Sequence, residues 1–347
     1  MTVTPGRASA PCTGPSPSNR TAPRTGPVRR AARSSRAAAL APITAVASAL
    51  LLAACGGSQA TNASAGGGSS GRIVAVGAEN EYANVIAQIG GKYVAVSAIM
   101  SNPNTDPHTF EASPSVAETV SAAKLVVQNG LGYDDFMQRI EAASPSSSRK
   151  VIDVQSLLGL PDSTPNPHLW YKPSTMPTVV KALVADLSAL QPQHAAYFVA
   201  NAARFNASLK PLYAAITAFK HRYPNTPVAT TEPVGDYLLQ AAGADNLTPF
   251  TLQAAIMNGT DPAPQNVTLQ TSLFTSHRVK VFVYNQQVTD TLTDSFRQLA
   301  LKQGVPVVGV YETMPVPGYD YQSWMLAEVR ALERAVADGV STEKLAP

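Results

Sequence analysis

Residues 72–100, "RIVAVGAENEYANVIAQIGGKYVAVSAIM", contain the pattern that decides the fold. The β-branched run at 72–78 is typical of a buried strand, and the apolar residues that follow are spaced as on one face of a helix. Gly90 and Gly91 mark the end of that helix, and 93–100 again favours a strand. Strand, helix and strand in this order predict two parallel strands with a crossover helix.

The same alternation recurs in two groups. Further strands are predicted at 124–130 and 150–154, and then at 227–231, 280–285 and 306–312. Between the groups, residues 193–223 have apolar positions at helical spacing, with Pro211 as a possible kink. The sequence therefore predicts an α/β fold of two lobes, each a parallel-type sheet flanked by helices. One long interlobe helix at 193–223 joins the lobes at 72–192 and 224–347, and a cleft lies between them.

The first 54 residues differ in composition from the rest. They contain seven arginines and no acidic residue, and an apolar run leads to "LAAC" at 52–55. This is typical of a signal peptide, and the run is too short and alanine-rich for a membrane span. "LAAC" is similar to a bacterial lipobox, which makes Cys55 the lipidated first residue and 55–71 a flexible Gly/Ser tether. We expect a lipid anchor on the extracytoplasmic side of the cell membrane; an ordinary secretory signal is the alternative.

Removing the signal peptide changes the charge. The chain has 26 Lys and Arg; without the seven arginines of the signal, 19 remain against 23 Asp and Glu, a net charge of −4. The basic balance of the whole chain therefore gives no reason to expect a nucleic-acid partner. Cys12 leaves with the signal, so Cys55 has no disulfide partner. Any transition-metal site must use histidines and carboxylates.

Four such residues follow predicted strands: His108, His168, Glu232 and Glu312. Ligands of open α/β sheets bind at the carboxyl ends of strands, and two of these residues belong to each lobe. If the lobes face each other, two imidazoles and two carboxylates form a cage for one divalent cation. A proline precedes each histidine and restricts the local backbone, which favours a preorganised ligand.

Four stretches carry a resemblance to a known family. They are "DPHTFEASPSVAETVSAAKLVVQNGLGYDDF" (106–136), "NPHLWYKPSTM" (166–176), "TTEPVGDYLLQAAG" (230–243) and "VYETMPVPGYDYQSWM" (310–325). The chain resembles the metal-binding lipoproteins of bacterial ABC importers for zinc, manganese and iron, the TroA-like, ZnuA-type solute-binding proteins. The resemblance implies the same four metal ligands and a rigid interlobe helix. It also implies a monomer that is not an enzyme and carries Zn²⁺ or Mn²⁺ to an ABC permease with a cytoplasmic ATPase.

The chain departs from the family pattern in two places. Glu312 replaces the usual aspartate, so Asp320 remains a rival fourth ligand. No histidine-rich loop lies between Gly130 and Pro165, although many zinc-specific members have one. Glu232 resembles the manganese-type members, yet zinc binds more tightly than manganese to most sites of this kind. Ligand identity therefore leaves the metal open.

Other functions use similar residues. A zinc-dependent hydrolase would keep one coordination position open for water and use a general base, but no H-E-x-x-H motif is present. A surface adhesin is a role attributed to the same family, and an organic-ligand binder would share the fold. Polar residues near the predicted cleft are candidates for orienting the histidines: Glu79, Asn80, Glu111 and Asn129.

Overall fold

A computed structural model describes residues 71–104, 106–315 and 317–345. The predicted signal peptide, Cys55 and the tether up to residue 70 lie outside this part of the chain. Within it, none of the helices combines the length and the apolar character that crossing a membrane requires.

The described residues form two sheets of four parallel strands each. The first sheet has the order β2-β1-β3-β4 and the second β6-β5-β7-β8. The strands are β1 (Ile73–Glu79), β2 (Val94–Met100), β3 (Leu125–Gln128), β4 (Lys150–Asp153), β5 (Pro227–Thr230), β6 (Asp245–Asn246), β7 (Val281–Asn285) and β8 (Val307–Val310). Both sheets thus place a first strand between the next two, and the predicted α/β fold of two lobes is confirmed.

Helices connect and flank the strands. In the first lobe and the connection after it they are α1 (Asn80–Gly90), α2 (Pro114–Ala122), α3 (Asp135–Ala143), α4 (Val154–Leu157), α5 (Thr175–Leu190), α6 (Ala195–Ser208) and α7 (Lys210–Arg222). The second lobe contains α8 (Asp236–Ala241), α9 (Phe250–Met257), α10 (Pro264–Thr275), α11 (Thr291–Lys302) and α12 (Tyr321–Asp338). The sequence patterns predict none of the elements between residues 244 and 279.

The backbone of Gly77 in β1 lies very close to the backbone of α1, and this contact determines how the helix packs on the strand. A Cβ on Gly77 would lie 2.4 Å from the backbone nitrogen of Ala83 in α1. Only glycine therefore lets α1 fold back onto β1 at this distance. The return brings Tyr82, Val85 and Ile86 of α1 fully into the core.

The long connecting helix predicted at 193–223 is present, with one interruption. Leu209 separates α6 from α7, although its backbone stays in the right-handed helical region. Pro211 causes the break, because it has no N–H to donate to the preceding turn and its ring crowds that turn. The first half, α6, packs against α1 and α5, whereas α7 packs against α12.

One hydrophobic cluster extends through both lobes. It includes Val76 of the first sheet and Val281 of the second, together with Trp170 and Trp324 between them. A second cluster, under the outer face of the second sheet, contains Phe274, Phe282 and Phe296 among others. Because the first cluster is shared, the two lobes meet through packed side chains along their common border.

Glu328 of α12 is a buried carboxyl group within this border. Its Oε1 accepts hydrogen bonds from Trp324 Nε1 at 3.0 Å and from the Tyr171 hydroxyl at 3.2 Å. Burial raises its pKa to about 8, against the opposing effect of those two hydrogen bonds. The folded protein therefore holds a proton on Glu328 at pH values where the unfolded chain has released it.

We expect Glu328→Gln to reduce the loss of stability at alkaline pH. The folded-state pKa of about 8 exceeds 4.5, the ordinary pKa of a glutamate in the unfolded chain. Between these values the folded state binds more protons, so the free energy of unfolding falls as pH rises. The amide imitates the protonated acid, and at pH 8.5 the variant should be more stable by roughly 3–5 kcal/mol. Urea denaturation of chelator-treated protein at pH 5, 6.5 and 8.5 measures the free energy of unfolding, and the exposed Glu118→Gln is the control. The same dependence of that free energy on pH in the wild type and in both variants would contradict the prediction.

Candidate metal site

Both predicted histidine loops are built by the same local turn. The backbone N–H of His108 donates to Asp106 Oδ1 at 2.8 Å, and that of His168 donates to Asn166 Oδ1 at 3.0 Å. An Asp or Asn side chain that accepts from the backbone two residues later forms an Asx turn, and the intervening proline fixes its backbone angle. The turn thus projects each imidazole from a short, restrained loop.

The hydrogen bonds of Asn166 determine which nitrogen of His168 faces the cleft. Asn166 Nδ2 donates to the carbonyl of Pro233 at 2.7 Å, so its oxygen is the atom that lies 2.8 Å from His168 Nδ1. Nδ1 must therefore carry the proton. In the neutral ring, Nε2 then presents a lone pair to Glu312 Oε2, 3.2 Å away.

Glu312 is the centre of the cluster. Its Oε2 lies 3.1 Å from His108 Nε2 and 3.2 Å from His168 Nε2, and it accepts from the Tyr133 hydroxyl at 3.0 Å. The three potential ligand atoms of His108, His168 and Glu312 lie within 4.8 Å of one another. The Glu312 and His168 side chains are 0% exposed, whereas that of His108 is 20% exposed. The cluster is therefore accessible from the His108 side.

Glu232, the remaining predicted ligand, stands beside this trio. It is buried, and its Oε1 accepts from Asn285 Nδ2 at 3.0 Å. The same nitrogen donates to Glu312 Oε1 at 2.7 Å, so one amide joins the two carboxylates. Glu232 Oε2 is buried and has no hydrogen-bond partner among the described residues.

Asp320, the rival to Glu312, has a different environment. It is the N-cap of α12, and its side chain accepts from the backbone N–H of Ser323 at 2.8 Å. Capping satisfies a backbone donor that the first helical turn leaves free. Asp320 is partly exposed and is not in the cluster with His108 and His168.

The pKa values reflect a site with excess negative potential. Burial lowers the pKa of His168, whereas for His108 the nearby Glu312 and Asp106 outweigh burial and raise it. Burial acts to raise the pKa of Glu312, but the two imidazoles outweigh it and lower that pKa. Burial and then the charge of Glu312 raise the pKa of Glu232 well above its usual value. Two carboxylates at this depth are hard to ionise together unless a cation is near.

The polar residues predicted to orient the histidines have distinct positions. Asn129 Nδ2 donates to the Pro167 carbonyl at 2.7 Å and so supports the His168 loop. Asn80 exchanges two 2.8 Å hydrogen bonds with the backbone of Met314, in the loop after Glu312. Glu79 is fully buried and Glu111 is exposed, and among the described residues neither is hydrogen-bonded to His108 or His168.

Sequence reasoning missed three residues that hold the cluster together: Tyr133, Asn166 and Asn285. Asn166 lies inside the quoted "NPH" stretch, and its equivalence to Asp106 was a usable signal. Asn285 is the last residue of β7, at the carboxyl ends of the strands, where ligands of such sheets bind. Tyr133 is reached only through tertiary packing, which no local pattern reports.

Known proteins share this architecture and its sequence. A family model described as "ZnuA: Zinc-uptake complex component A periplasmic" matches residues 76–335. The chain belongs to the ZnuA family. The match covers both lobes and the helices that join them, and it confirms the family resemblance of the four quoted stretches.

Individual relatives match shorter segments of the chain. Manganese-binding lipoprotein MntA of Bacillus subtilis (strain 168) is 29% identical over 139 residues, 38% of this chain and 45% of MntA. A putative metal-binding protein of Treponema pallidum (strain Nichols) is 25% identical over 166 residues, 42% of this chain and 52% of that protein. The chain thus matches about half the length of these relatives.

Solved structures show the same fold. The periplasmic zinc-binding protein TroA from Treponema pallidum has a TM-score of 0.65 at 18% identity, covering 78% of this chain and 100% of TroA. The solute-binding protein FpvC from Pseudomonas aeruginosa, in complex with Mn²⁺, has a TM-score of 0.63 at 22% identity, covering 76% and 98%. A crystal structure of ZnuA has a TM-score of 0.63 at 20% identity, covering 77% and 100%.

We expect His168 of the chelator-treated protein to be neutral at pH 7 and protonated on Nδ1. Burial lowers its pKa, and Asn166 accepts from Nδ1. Long-range ¹⁵N–¹H correlation spectra of the imidazoles measure the tautomer directly. Asn166→Ala should produce a mixture of tautomers, whereas the exposed His221 should be unchanged by it. An imidazolium signal for His168 at pH 7 would overturn the assignment.

Proposed function

We propose that the protein captures a divalent transition metal, Zn²⁺ or Mn²⁺, outside the cytoplasm and delivers it to an ABC permease without catalysing a reaction. One observation carries the proposal: His168 Nδ1 is bonded to Asn166 Oδ1, so a neutral His168 ring directs its Nε2 lone pair at the Glu312 carboxylate, 3.2 Å away. Two acceptors at this distance repel each other unless a cation lies between them.

The proposed ligands are His108, His168, Glu232 and Glu312. Separations of 3.1 and 3.2 Å between Glu312 Oε2 and the two imidazole nitrogens suit neighbouring ligands around one ion. At metal–ligand distances of about 2.0–2.2 Å, atoms at tetrahedral angles lie about 3.3–3.6 Å apart. The buried Oε2 of Glu232, which has no hydrogen-bond partner among the described residues, supports this residue as a ligand beside the other three.

The hydrogen-bond partners of the proposed ligands support the same role. Metal-ligating histidines donate their other ring N–H to an oxygen that fixes the ring, as His168 does to Asn166. A bound dication would also offset the repulsion between Glu232 and Glu312, whose charges oppose each other's ionisation. Binding therefore removes an unfavourable interaction as well as forming new bonds.

The cargo follows from the donor set and from what the related proteins bind. Two imidazoles and two carboxylates accept both Zn²⁺ and Mn²⁺. MntA is named as manganese-binding and TroA as zinc-binding, and FpvC was solved with Mn²⁺ and with Ni²⁺. We propose one such ion per chain as transported substrate.

Membership of the ZnuA family supports partners in an importer, namely a permease and a cytoplasmic ATPase. We propose that residues 1–54 are the signal peptide and that lipidated Cys55 anchors the protein to the membrane. Residues 55–71 would be the tether, ahead of a monomeric domain whose lobes occupy 72–192 and 224–347. The lipoprotein MntA relatives support this placement.

Metal binding should stabilise the domain and depend on the cluster. For a protein cut after Cys55 and purified without chelator, Zn²⁺ or Mn²⁺ at 100 times Kd should stabilise by about 2.7 kcal/mol, seen as a rise in Tm. His108→Ala/His168→Ala should lose at least 100-fold in affinity for either metal. Equilibrium dialysis with elemental mass spectrometry gives stoichiometry and Kd.

The rival fourth ligand provides a matched control. Glu312→Ala should weaken binding as the histidine variants do. Asp320→Ala should bind normally and lose only about 1 kcal/mol of stability, because it removes a helix cap. Normal binding by the double histidine variant would sink the metal-receptor proposal, and a reversed result for the two acids would reassign the fourth ligand.

Membrane anchoring should depend on Cys55. Expressed in a bacterium with lipoprotein processing, the full chain should fractionate with membranes, and Cys55→Ala should release it or leave its signal uncleaved. Cys12→Ala is the matched control, because it removes the other cysteine of the chain. Membrane extraction followed by mass spectrometry of the amino terminus reads the result, and unchanged fractionation of Cys55→Ala would refute the anchor.

A further inference from the structure

Asn285 is the last residue of β7 and is 0% exposed. Its side-chain nitrogen donates to Glu232 Oε1 at 3.0 Å and to Glu312 Oε1 at 2.7 Å. A primary amide has two N–H donors, so this pair of hydrogen bonds uses both. Each carboxylate therefore has one of its two oxygens bound to the same residue.

The orientation of this amide is fixed by a third hydrogen bond. The backbone N–H of Gln287 donates to Asn285 Oδ1 at 3.0 Å, which identifies the oxygen and directs the nitrogen towards the carboxylates. Gln287 is held in turn, because its own side-chain oxygen accepts from the backbone N–H groups of Glu312 and Thr313 at 2.7 and 2.8 Å. The strand end and the Glu312 loop thus form one rigid hydrogen-bonded unit.

The arrangement leaves one oxygen of each carboxylate for a metal. Glu312 Oε2 is the atom that faces both imidazole nitrogens, and Glu232 Oε2 is buried without a hydrogen-bond partner in the described part of the chain. With each acid restricted to one oxygen, the protein offers two nitrogens and two oxygens. Four ligands of this kind match tetrahedral Zn²⁺, whereas Mn²⁺ favours octahedral, oxygen-rich coordination.

We propose that Asn285 is a positioning residue that restricts Glu232 and Glu312 to monodentate binding and so favours four-coordinate Zn²⁺ over Mn²⁺. This inference rests on the proposed metal-capture function and names the cargo that the site selects. Removing the amide frees both Oε1 atoms, which can then chelate a larger, six-coordinate ion. The same substitution also removes the hydrogen bonds that hold Glu232 and Glu312 in position for Zn²⁺.

The test compares Zn²⁺ and Mn²⁺ affinities of the wild type, Asn285→Ala and Asn285→Ser by competition dialysis with elemental mass spectrometry. Changes next to metal ligands typically cost 10–100-fold in affinity. We expect zinc affinity to fall by about that factor while manganese affinity is kept or raised, so the zinc-to-manganese ratio falls at least 10-fold. Gln253→Ala is the matched control, because Gln253 is also a buried amide that donates to a carboxylate, Asp236, but outside the cluster.

X-ray absorption of the wild-type zinc complex tests the inference without any variant. We expect four nitrogen or oxygen ligands in the wild type, and five or six in the manganese complexes of the Asn285 variants. Five or six ligands around wild-type zinc, or a metal ratio unchanged within threefold in both Asn285 variants, would overturn the role of Asn285. Wild-type protein that binds neither metal would instead overturn the proposed function and this inference with it.

Discussion

The Glu312 carboxylate, buried where the two lobes meet, is the group on which the rest of the arrangement depends. A charge removed from water is costly unless donors surround it. The protein supplies donors from both lobes, the Tyr133 hydroxyl from the first and the Asn285 amide from the second, and the Nε2 atoms of His108 and His168 face the same carboxylate. The packed border between the lobes and the geometry of the candidate site are therefore two results of one constraint.

The two histidine loops are alike in sequence and unlike in environment. Asp106 and Asn166 both accept from the backbone two residues later, but the amide of Asn166 also binds the second lobe and the imidazole ring. His168 is consequently fixed and fully buried, whereas the His108 side chain keeps 20% of its surface exposed. His168 is therefore the fixed, buried side of the candidate site, and His108 is the side that solvent reaches.

The sequence predicts the elements that depend on periodic burial, and the family model confirms the resemblance of the site loops. Seven of the eight strands in the described residues coincide with β-branched runs. The exception, β6 (Asp245–Asn246), has two polar residues and pairs with β5 through backbone alone, so no side-chain pattern predicts it. The convergence of His108, His168 and Glu312 was predictable from strand ends. The amide bridge by Asn285 was not, because it depends on side-chain distances across the second sheet.

The interruption at Leu209 has a mechanical consequence. The helix before it, α6, packs on the first lobe, and the helix after it, α7, packs on α12 of the second lobe. Each lobe thus holds one half of the connecting helix. A change in the angle between α6 and α7 needs only the backbone torsions of Leu209, but a twist of one lobe against the other would also have to repack the hydrophobic cluster that the lobes share. Leu209 is itself only 1% exposed, which keeps the amplitude of such a hinge small.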